Sequence, residues 1–125
     1  MRRRAGFTLV ELLVIVVIIG ILTSVALFRS WRSREKAFIA TMQSDLRTLV
    51  LAQENLRGDS AEYTRDLAAL RGLRPSASVT IDIDAADAAT WHATARHAGT
   101  ATVCEITAGQ GTPGANQNLP VCAAP

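Results

Sequence analysis

The sequence predicts an α+β fold in which a long N-terminal α-helix packs on a small antiparallel β-sheet. Three observations lead to this fold class. A nearly unbroken apolar run fills residues 7–28, an apolar stripe with helical spacing continues to residue 56, and short segments of alternating polarity follow residue 77. Since the chain has 125 residues, it is long enough for one small domain beside that helix.

The apolar run is long enough to cross a membrane. Between Phe7 and Phe28, the residues that interrupt its apolar character are Thr8, Glu11, Gly20, Thr23 and Ser24. As a helix with a rise of about 1.5 Å per residue, the run spans about 33 Å, against about 30 Å for a bilayer core. Arg2, Arg3 and Arg4 precede it, so the positive-inside rule keeps the N-terminus in the cytoplasm and exports the rest.

The net charge of +2 depends on the same three arginines. Without them the 13 basic residues fall to 10, against 11 acidic residues, so the rest of the chain carries a net charge of −1. Because no basic patch with interleaved aromatic residues remains, we expect no direct nucleic-acid binding.

Glu11 decides between the interpretations of the apolar run. A carboxylate at mid-bilayer costs roughly 2.5–3.5 kcal/mol or more, and a plain single-span anchor does not explain it. A cleavable secretory signal is a second interpretation, with Ser24-Val25-Ala26 as the small-x-small cleavage site. The apolar run is long for such a signal, and Glu11 interrupts its start.

A third interpretation rests on the residues around the start of the run. A short basic leader ends in Gly6, and Phe7-Thr8-Leu9-Val10-Glu11 follows, with the glutamate at the fifth position after the glycine. This pattern resembles the type IV prepilin signature over roughly residues 1–30. The signature is specific because it fixes leader charge, glycine, aromatic residue and glutamate in register with the apolar helix.

The resemblance implies a processing step and an assembly role. In that family a membrane aspartyl protease, the prepilin peptidase, cuts after the glycine and methylates the new terminus. Applied to this chain, the resemblance places the cut between Gly6 and Phe7 and makes Phe7 the N-methylated residue. Glu11 would then meet the terminal amine of a neighbouring subunit in a filament. A buried carboxylate is tolerated when a cation neutralises it, and such a pair can select one register.

The helix is predicted to continue beyond the apolar run. One stripe recurs in steps of three and four residues and should pack on the C-terminal domain: Ile39, Met42, Leu46, Leu49, Gln53 and Leu56. Gly58 has the position of a C-cap, so the predicted helix covers about residues 7–57. Many members of the family carry a proline where this chain has Phe28, and its absence argues against a sharp kink there. Gly20, together with Thr23 and Ser24, is the predicted position of helix flexibility, and an ordinary membrane-helix glycine is the alternative for Gly20.

The C-terminal part is predicted to form an antiparallel meander. Three strand candidates cover residues 78–84, 90–98 and 100–107. The core-facing residues of the first two are Val79, Ile81, Ile83, Trp91, Ala93, Ala95 and His97. Before these strands, Thr64 is the predicted cap of a short helix over about residues 65–70. A long helix laid on a small sheet is also the layout of the pilin fold.

Four parts of the chain follow from these predictions. Residues 1–6 form a cleaved leader, 7–28 the transmembrane and filament-core half of the helix, 29–57 its amphipathic half, and 58–125 the connector and sheet domain. Cys104 and Cys122 are the only cysteines and, in an exported domain, are predicted to form a disulfide. In major pilins a C-terminal disulfide often bounds a surface loop, and this pair fits that role.

Other patterns are candidates for binding chemistry. Gly109-x-Gly111-x-x-Gly114 spells a dinucleotide fingerprint, but Pro113 lies inside it and no helix is predicted after it, so it is interpreted as a flexible loop. His92 and His97 are predicted to face opposite sides of a strand, so they cannot bind the same zinc ion. A zinc site at His97 with Cys104 is the alternative that stays open. Calcium is a further alternative at Asp82, Asp84 and Asp87. We predict no catalytic residue, no metal and no cofactor.

The sequence therefore predicts a structural protein. The resemblance implies a type IV pilus subunit that polymerises with its own copies into surface filaments for adhesion, twitching motility or DNA uptake. The implied partners are the prepilin peptidase, the inner membrane, and the pilus or secretion assembly machinery. The subunit would cross the inner membrane once before assembly and be extracellular afterwards. Two alternatives stay open, a pseudopilin of a type II secretion system and a membrane-anchored periplasmic binding module that does not polymerise.

Overall fold

A computed structural model describes residues 6–110 and 118–125 of the chain. Its elements, in chain order, are helix α1 (Leu9–Ser60), a short 3-10 helix (Leu67–Ala69) and strands β1 (Val79–Ala86), β2 (Thr90–His97), β3 (Val103–Gly109) and β4 (Val121–Ala123). The predicted α+β fold class, a long helix packed on an antiparallel sheet, is confirmed. The chain divides into two compact units, Met1–Arg34 and Glu35–Pro125.

The first unit contains the apolar part of α1, and all of its described side chains are exposed. By length and composition, α1 includes a stretch that can cross a membrane. A helix that is apolar on every side is stable when something apolar surrounds it, because exposure of such a surface to water is unfavourable. The first unit is therefore suited to a bilayer or to the helices of other subunits.

In the second unit, α1 buries one stripe in the hydrophobic core. Met42, Leu46, Leu49 and Gln53 have no exposed surface, and Ile39 and Leu56 are partly buried beside them. This confirms the stripe predicted from the spacing. Full burial of an aliphatic side chain contributes about 1.5–3 kcal/mol, so this stripe is a main source of stability.

The predicted helix end at Gly58 is wrong. The helix continues through Gly58 to Ser60, and Ala61 takes the left-handed conformation with a φ of 63°. The N–H of Ala61 donates to the carbonyl of Arg57 at 2.8 Å, and Ser60 Oγ donates to the carbonyl of Leu56 at 2.9 Å. Both bonds satisfy carbonyls of the last turn, which offsets the roughly 1–2 kcal/mol that an alanine loses in this conformation.

The sheet has four antiparallel strands in the order β1-β2-β3-β4. The predicted meander is confirmed, and β4 is an additional strand of three residues that the sequence analysis did not predict. The register between β1 and β2 shifts between Ile83 and Ala85, so Asp84 is the extra residue of a bulge.

Alternation along the strands divides the sheet into a core face and a polar face. The buried residues of the first three strands are Val79, Ile81, Ile83, Trp91, Ala93, Ala95, Cys104, Ile106, Ala108 and Gly109. Apart from Gly109, they belong to one hydrophobic cluster with the α1 stripe. The sheet is therefore covered by the helix on one face and polar on the other, as the alternation predicts.

The connector between α1 and β1 differs from its prediction. Asp66, rather than Thr64, caps the short 3-10 helix, since Asp66 Oδ1 accepts a hydrogen bond from the N–H of Ala68 at 2.9 Å. Carboxylates are among the best N-cap acceptors. The backbone of Thr64 is instead held by Gln53 of α1.

Tyr63 fixes the connector just after the helix. Its hydroxyl donates to Glu54 Oε1 at 2.7 Å, and the guanidinium carbon of Arg57 lies 5.4 Å from its ring centroid. Burial raises the pKa of Tyr63, and its hydrogen bond to Glu54 raises it further. The tyrosine therefore stays neutral and keeps its donor.

Candidate processing and assembly site

The first helical turn shows why the predicted cleavage site lies outside the helix. Gly6, Phe7 and Thr8 precede the first helical residue, Leu9. Thr8 Oγ1 accepts a hydrogen bond from the N–H of Glu11 at 3.2 Å, and the carbonyl of Thr8 accepts one from Leu12 at 3.2 Å. Thr8 is therefore the N-cap, because its side chain satisfies one of the free N–H groups of the first turn.

The sequence analysis missed this cap, although its signal was present. Thr8-Leu9-Val10-Glu11 has the spacing of a capping box, in which a hydroxyl residue is followed three positions later by a glutamate. The cap fixes where the helix begins, and it leaves the Gly6–Phe7 bond on the non-helical side of that boundary.

The Gly6–Phe7 bond is accessible in the described part of the chain. Both residues are exposed, with Phe7 at 69%, and among the described residues other than its chain neighbour no atom lies within 4 Å of where a side chain at Gly6 would begin. A protease binds its substrate as an extended segment, which a bond inside a helix cannot supply without unwinding. The predicted cut therefore falls where the chain is already open.

Glu11 is an exposed carboxylate in the first turn of α1. A negative charge at this position interacts favourably with the helix dipole, by about 0.3–1 kcal/mol when exposed. It is the only ionisable side chain between Phe7 and Phe28, and it forms no salt bridge with the residues that the structure describes. Its charge is therefore available to a partner outside the chain.

Gly20 lies inside α1, which continues without a break on both sides of it. Thr23 Oγ1 donates to the carbonyl of Ile19 at 2.7 Å, and Ser24 Oγ donates to the carbonyl of Ile21 at 2.7 Å. Such bonds give the backbone an alternative partner and often bend helices slightly. Three residues that weaken the regular helix thus fall within five positions.

Two comparisons with known proteins identify the family of the chain. Residues 1–27 match the family model described as the prokaryotic N-terminal methylation motif. The type IV wide pilus major component PilA4 of Thermus thermophilus is 36% identical to this chain over 102 residues, which cover 79% of this chain and 78% of that protein. The chain belongs to the type IV pilin family. This pilin is therefore a structural protein of a family that is processed from prepilins and assembled into pili.

The disulfide of the pilin is confirmed. Cys104 in β3 and Cys122 in β4 are bonded and face each other in the register of the two strands. Cys104 is fully buried, and Gln43 Nε2 of α1 lies 3.5 Å from the sulfur of Cys122. Residues 111–117 of the enclosed loop, with Gly111, Pro113 and Gly114 of the predicted flexible loop, fall outside the described residues.

The two histidines of the pilin point to opposite faces of β2, as predicted. His92 Nδ1 lies 2.9 Å from Asp84 Oδ2 and its Nε2 lies 3.9 Å from Glu105 Oε2. The ring of His97 stacks on Phe38 of α1 with centroids 4.1 Å apart. Because the sulfur of Cys104 is in the disulfide, the alternative of a zinc site at His97 with Cys104 is wrong.

The acidic residues considered as calcium ligands contact different partners. Asp87 closes the β1–β2 turn, where its Oδ1 accepts hydrogen bonds from the N–H groups of Ala89 and Thr90, both at 2.7 Å. These two hydrogen bonds lower the pKa of Asp87, and the bond from Thr90 has the larger effect. Asp84 instead contacts His92. Among residues 6–110 and 118–125, no group of three or more His, Cys, Asp or Glu residues is arranged to hold a metal ion.

Proposed function

We infer that this pilin is synthesised as a precursor, cut between Gly6 and Phe7, N-methylated at Phe7 and polymerised into a surface pilus. Before assembly it crosses the inner membrane once with its N-terminus in the cytoplasm. In the filament, residues 7–28 of many copies pack together, and the second unit carries the outer surface. Filaments of this kind would serve adhesion, twitching motility or DNA uptake.

The observation that carries this proposal is the arrangement of the first turn. The helix is capped by Thr8, so the exposed Gly6–Phe7 bond lies just before the helix, within the stretch that matches the methylation motif. A cut at this bond leaves the whole apolar segment on the mature chain. That outcome differs from the removal of a secretory signal, after which the apolar segment would be lost.

The role proposed for Glu11 follows from its charge and surroundings. Cleavage after Gly6 creates an ammonium on Phe7, four residues before Glu11. In a bundle of apolar helices, Glu11 of one subunit pairs with the Phe7 ammonium of its neighbour. A buried charge without a partner is strongly unfavourable, and the pair therefore selects one axial offset between neighbouring helices. Gly20, with Thr23 and Ser24, gives the helix the freedom to adjust to that packing.

The test combines mass spectrometry of the mature N-terminus with electron microscopy of material sheared from cells. We expect a chain that starts at N-methyl-Phe7 and is recovered in long filaments. A mature terminus at Leu27 would show that a signal peptide had been removed and would overturn the proposal. Correct processing without surface filaments would instead indicate the pseudopilin of a secretion system. A correctly processed chain that stays monomeric in the membrane would indicate an anchored binding module.

A further inference from the structure

A shallow groove, open to solvent and lined by apolar and basic side chains, lies at the C-terminal end of the apolar segment. It has a volume of about 420 Å³ and is lined by Ser24, Val25, Phe28, Arg29 and Arg32, all in the first unit. Positions three or four apart lie on one face of a helix, so these residues form a continuous strip along α1. The strip changes from apolar at Val25 to positively charged at Arg32.

The apolar segment supplies no acidic partner for the charges in this strip, and the first acidic residue after it, Glu35, accepts a hydrogen bond from Thr102 Oγ1 at 3.4 Å. Residues 12–34 contain no aspartate or glutamate, whereas Arg29, Arg32 and Arg34 follow one another within six positions. The guanidinium carbon of Arg32 lies 5.3 Å from the centroid of the Phe28 ring, within the range of a cation–π contact. This contact holds the guanidinium close to the apolar surface of Phe28.

Trp31 marks the level at which a membrane surface would meet the helix. The residue is 75% exposed, a value that only Leu9 exceeds among the large hydrophobic residues that the structure describes. Tryptophan is enriched at membrane–water interfaces because its ring is apolar and its indole N–H is polar. A helix that enters the bilayer at Phe7 reaches the other surface about 33 Å later, near Phe28, which places Trp31 in the headgroup region.

Orientation in the membrane does not account for these arginines. The positive-inside rule favours few basic residues on the exported side. Yet three arginines follow the span, as many as precede it: Arg29, Arg32 and Arg34. A local anionic ligand explains their presence. The apolar half of the groove indicates that this ligand also has a hydrocarbon part.

We propose that this groove binds an anionic phospholipid of the membrane in which the pilin resides before assembly. Arg29 and Arg32 contact the headgroup phosphate, since a guanidinium forms two parallel hydrogen bonds to phosphate oxygens. Val25 and Phe28 lie along the first part of the acyl chain. The proposal rests on the membrane-anchored stage of the proposed function, and it adds the identity of the lipid that surrounds the exported end of the span.

The same arginines also offer a surface to carboxylates of a neighbouring subunit. A phospholipid fits the groove better because it supplies a phosphate and a hydrocarbon chain together, at the depth where both occur in a bilayer. Residues 12–34 of a second copy supply no carboxylate, and Glu35 of this chain already accepts a hydrogen bond from Thr102.

The test measures which lipid lies next to Trp31. The full chain is reconstituted in vesicles of phosphatidylglycerol and phosphatidylcholine, with bromine on the acyl chains of one lipid class at a time. Bromine quenches tryptophan on contact, and Trp91 is 1% exposed in the second unit, so a Trp31→Phe variant gives the constant background. Each basic side chain at an anionic surface changes the local preference by about fivefold. We expect brominated phosphatidylglycerol to quench several-fold more than its bulk fraction predicts.

The matched variants separate a local site from a general effect of charge. Arg29→Gln with Arg32→Gln should return quenching to the bulk fraction. Arg47→Gln with Arg71→Gln removes the same charge from exposed positions in the second unit and should keep the wild-type preference. Quenching at the bulk fraction in the wild type, or an equal loss in both double variants, overturns the proposal. So does loss of filaments in Arg29→Gln with Arg32→Gln at an unchanged lipid preference, which would assign the arginines to subunit contacts.

Failure of the underlying function gives a different result. If neither brominated lipid quenches Trp31, the segment does not reside in the bilayer. In that case the membrane-anchored stage is wrong, and the lipid site is overturned with it.

Discussion

Gln53 and Thr64 are joined by two hydrogen bonds that run in opposite directions. Gln53 Nε2 donates to the carbonyl of Thr64 at 2.6 Å, and Gln53 Oε1 accepts from the N–H of Thr64 at 3.1 Å. The glutamine side chain is fully buried in the apolar stripe of α1. One side chain thus satisfies both backbone groups of a connector residue and ties the connector to the helix.

Replacement of Gln53 by leucine should weaken the fold. Leucine keeps the burial but leaves both backbone groups of Thr64 without their partner, and we expect the free energy of unfolding to fall by about 1–3 kcal/mol. Urea unfolding of the detergent-solubilised chain, followed by near-UV circular dichroism, measures this. Asn55→Leu on the exposed side of the same helix is the control and should change stability by less than about 0.5 kcal/mol. Equal stability of Gln53→Leu and the wild type would show that the two bonds contribute nothing net.

The turn held by Asp87 should make stability depend on pH in acid. Hydrogen bonds from Thr90 and Ala89 lower the pKa of Asp87 below the usual 3.8, so the folded state holds this proton less tightly than the unfolded state. The carboxylate therefore stabilises the fold above that pH, and the contribution is lost as the pH falls through the folded-state pKa. Asp87→Asn should be less stable than the wild type at about pH 7 and should approach it at about pH 2.

The control for this prediction is Asp82→Asn, which changes an exposed carboxylate in β1. Its stability relative to the wild type should vary less between the two pH values. If Asp87→Asn were less stable than the wild type by the same amount at every pH, the turn would depend on the shape of the side chain and not on its charge.

The Cys104–Cys122 bond should stabilise the second unit mainly through the unfolded chain. The two residues are 18 positions apart, and closure of a loop of this size contributes about 3 kcal/mol. Cys104→Ala with Cys122→Ala should lower the unfolding free energy by about that amount, as should reduction of the wild type under denaturing conditions. If reduction alone has no effect while the double alanine variant is destabilised, the loss comes from packing at the buried Cys104.

Gly109 is required where β3 ends against the β1–β2 turn. It has a φ of 128°, and a side chain there would meet the carbonyl oxygen of Ala89 and the Cα atom of Thr90. We expect Gly109→Ala to cost at least about 1–3 kcal/mol, from backbone strain and overlap. Gly58→Ala is the matched control, because Gly58 lies inside α1 with open space around it, and there alanine should add about 0.5–1 kcal/mol. Opposite signs for the two variants, in thermal unfolding, are the expected result.

Glu11→Ala should separate membrane insertion from assembly. The cap on the helix survives, because Thr8 Oγ1 bonds to the backbone N–H at position 11 and not to the side chain. In the proposed filament, however, the Phe7 ammonium loses its partner at about 3–5 kcal/mol per contact, which lowers filament yield more than tenfold. Quantitative immunoblots of sheared and membrane fractions measure both steps, with Glu62→Gln as an exposed control. Wild-type filament yield from Glu11→Ala would refute the ion-pair role.

Much of the fold could be predicted from the spacing of apolar residues, which recur at every second position in the strands and every three or four positions in the helix. The stripe from Ile39 to Leu56 and the alternation of β1 and β2 were predicted because burial repeats with the geometry of each element. The position of Gln53 in the stripe was predicted too. Its role was not, since nothing in the sequence near Gln53 indicates that Thr64 lies opposite to it.

The errors lie where a single side chain decides the outcome. The end of α1 was placed at Gly58 because glycine is the usual left-handed residue, yet hydrogen bonds around Ser60 and Ala61 hold the helix for longer. Strand β4 has three residues, too few for alternation to be detected, and pairing with β3 defines it. In the candidate site, Gly6, Phe7 and Glu11 were identified from the signature, while the capping role of Thr8 required the hydrogen bond.

The two outer strands of the sheet offer little to the backbone of another chain. In β1 the bulge at Asp84 breaks the regular spacing, and the carbonyl of Ile83 lies 3.5 Å from the side-chain nitrogen Nε of Arg65. At the opposite edge, β4 is short and is bonded covalently to its neighbour. Edges of this kind resist the addition of further strands. Subunits crowded at high local concentration are thereby protected from amyloid-like aggregation, which would otherwise compete with the proposed assembly through their apolar helices.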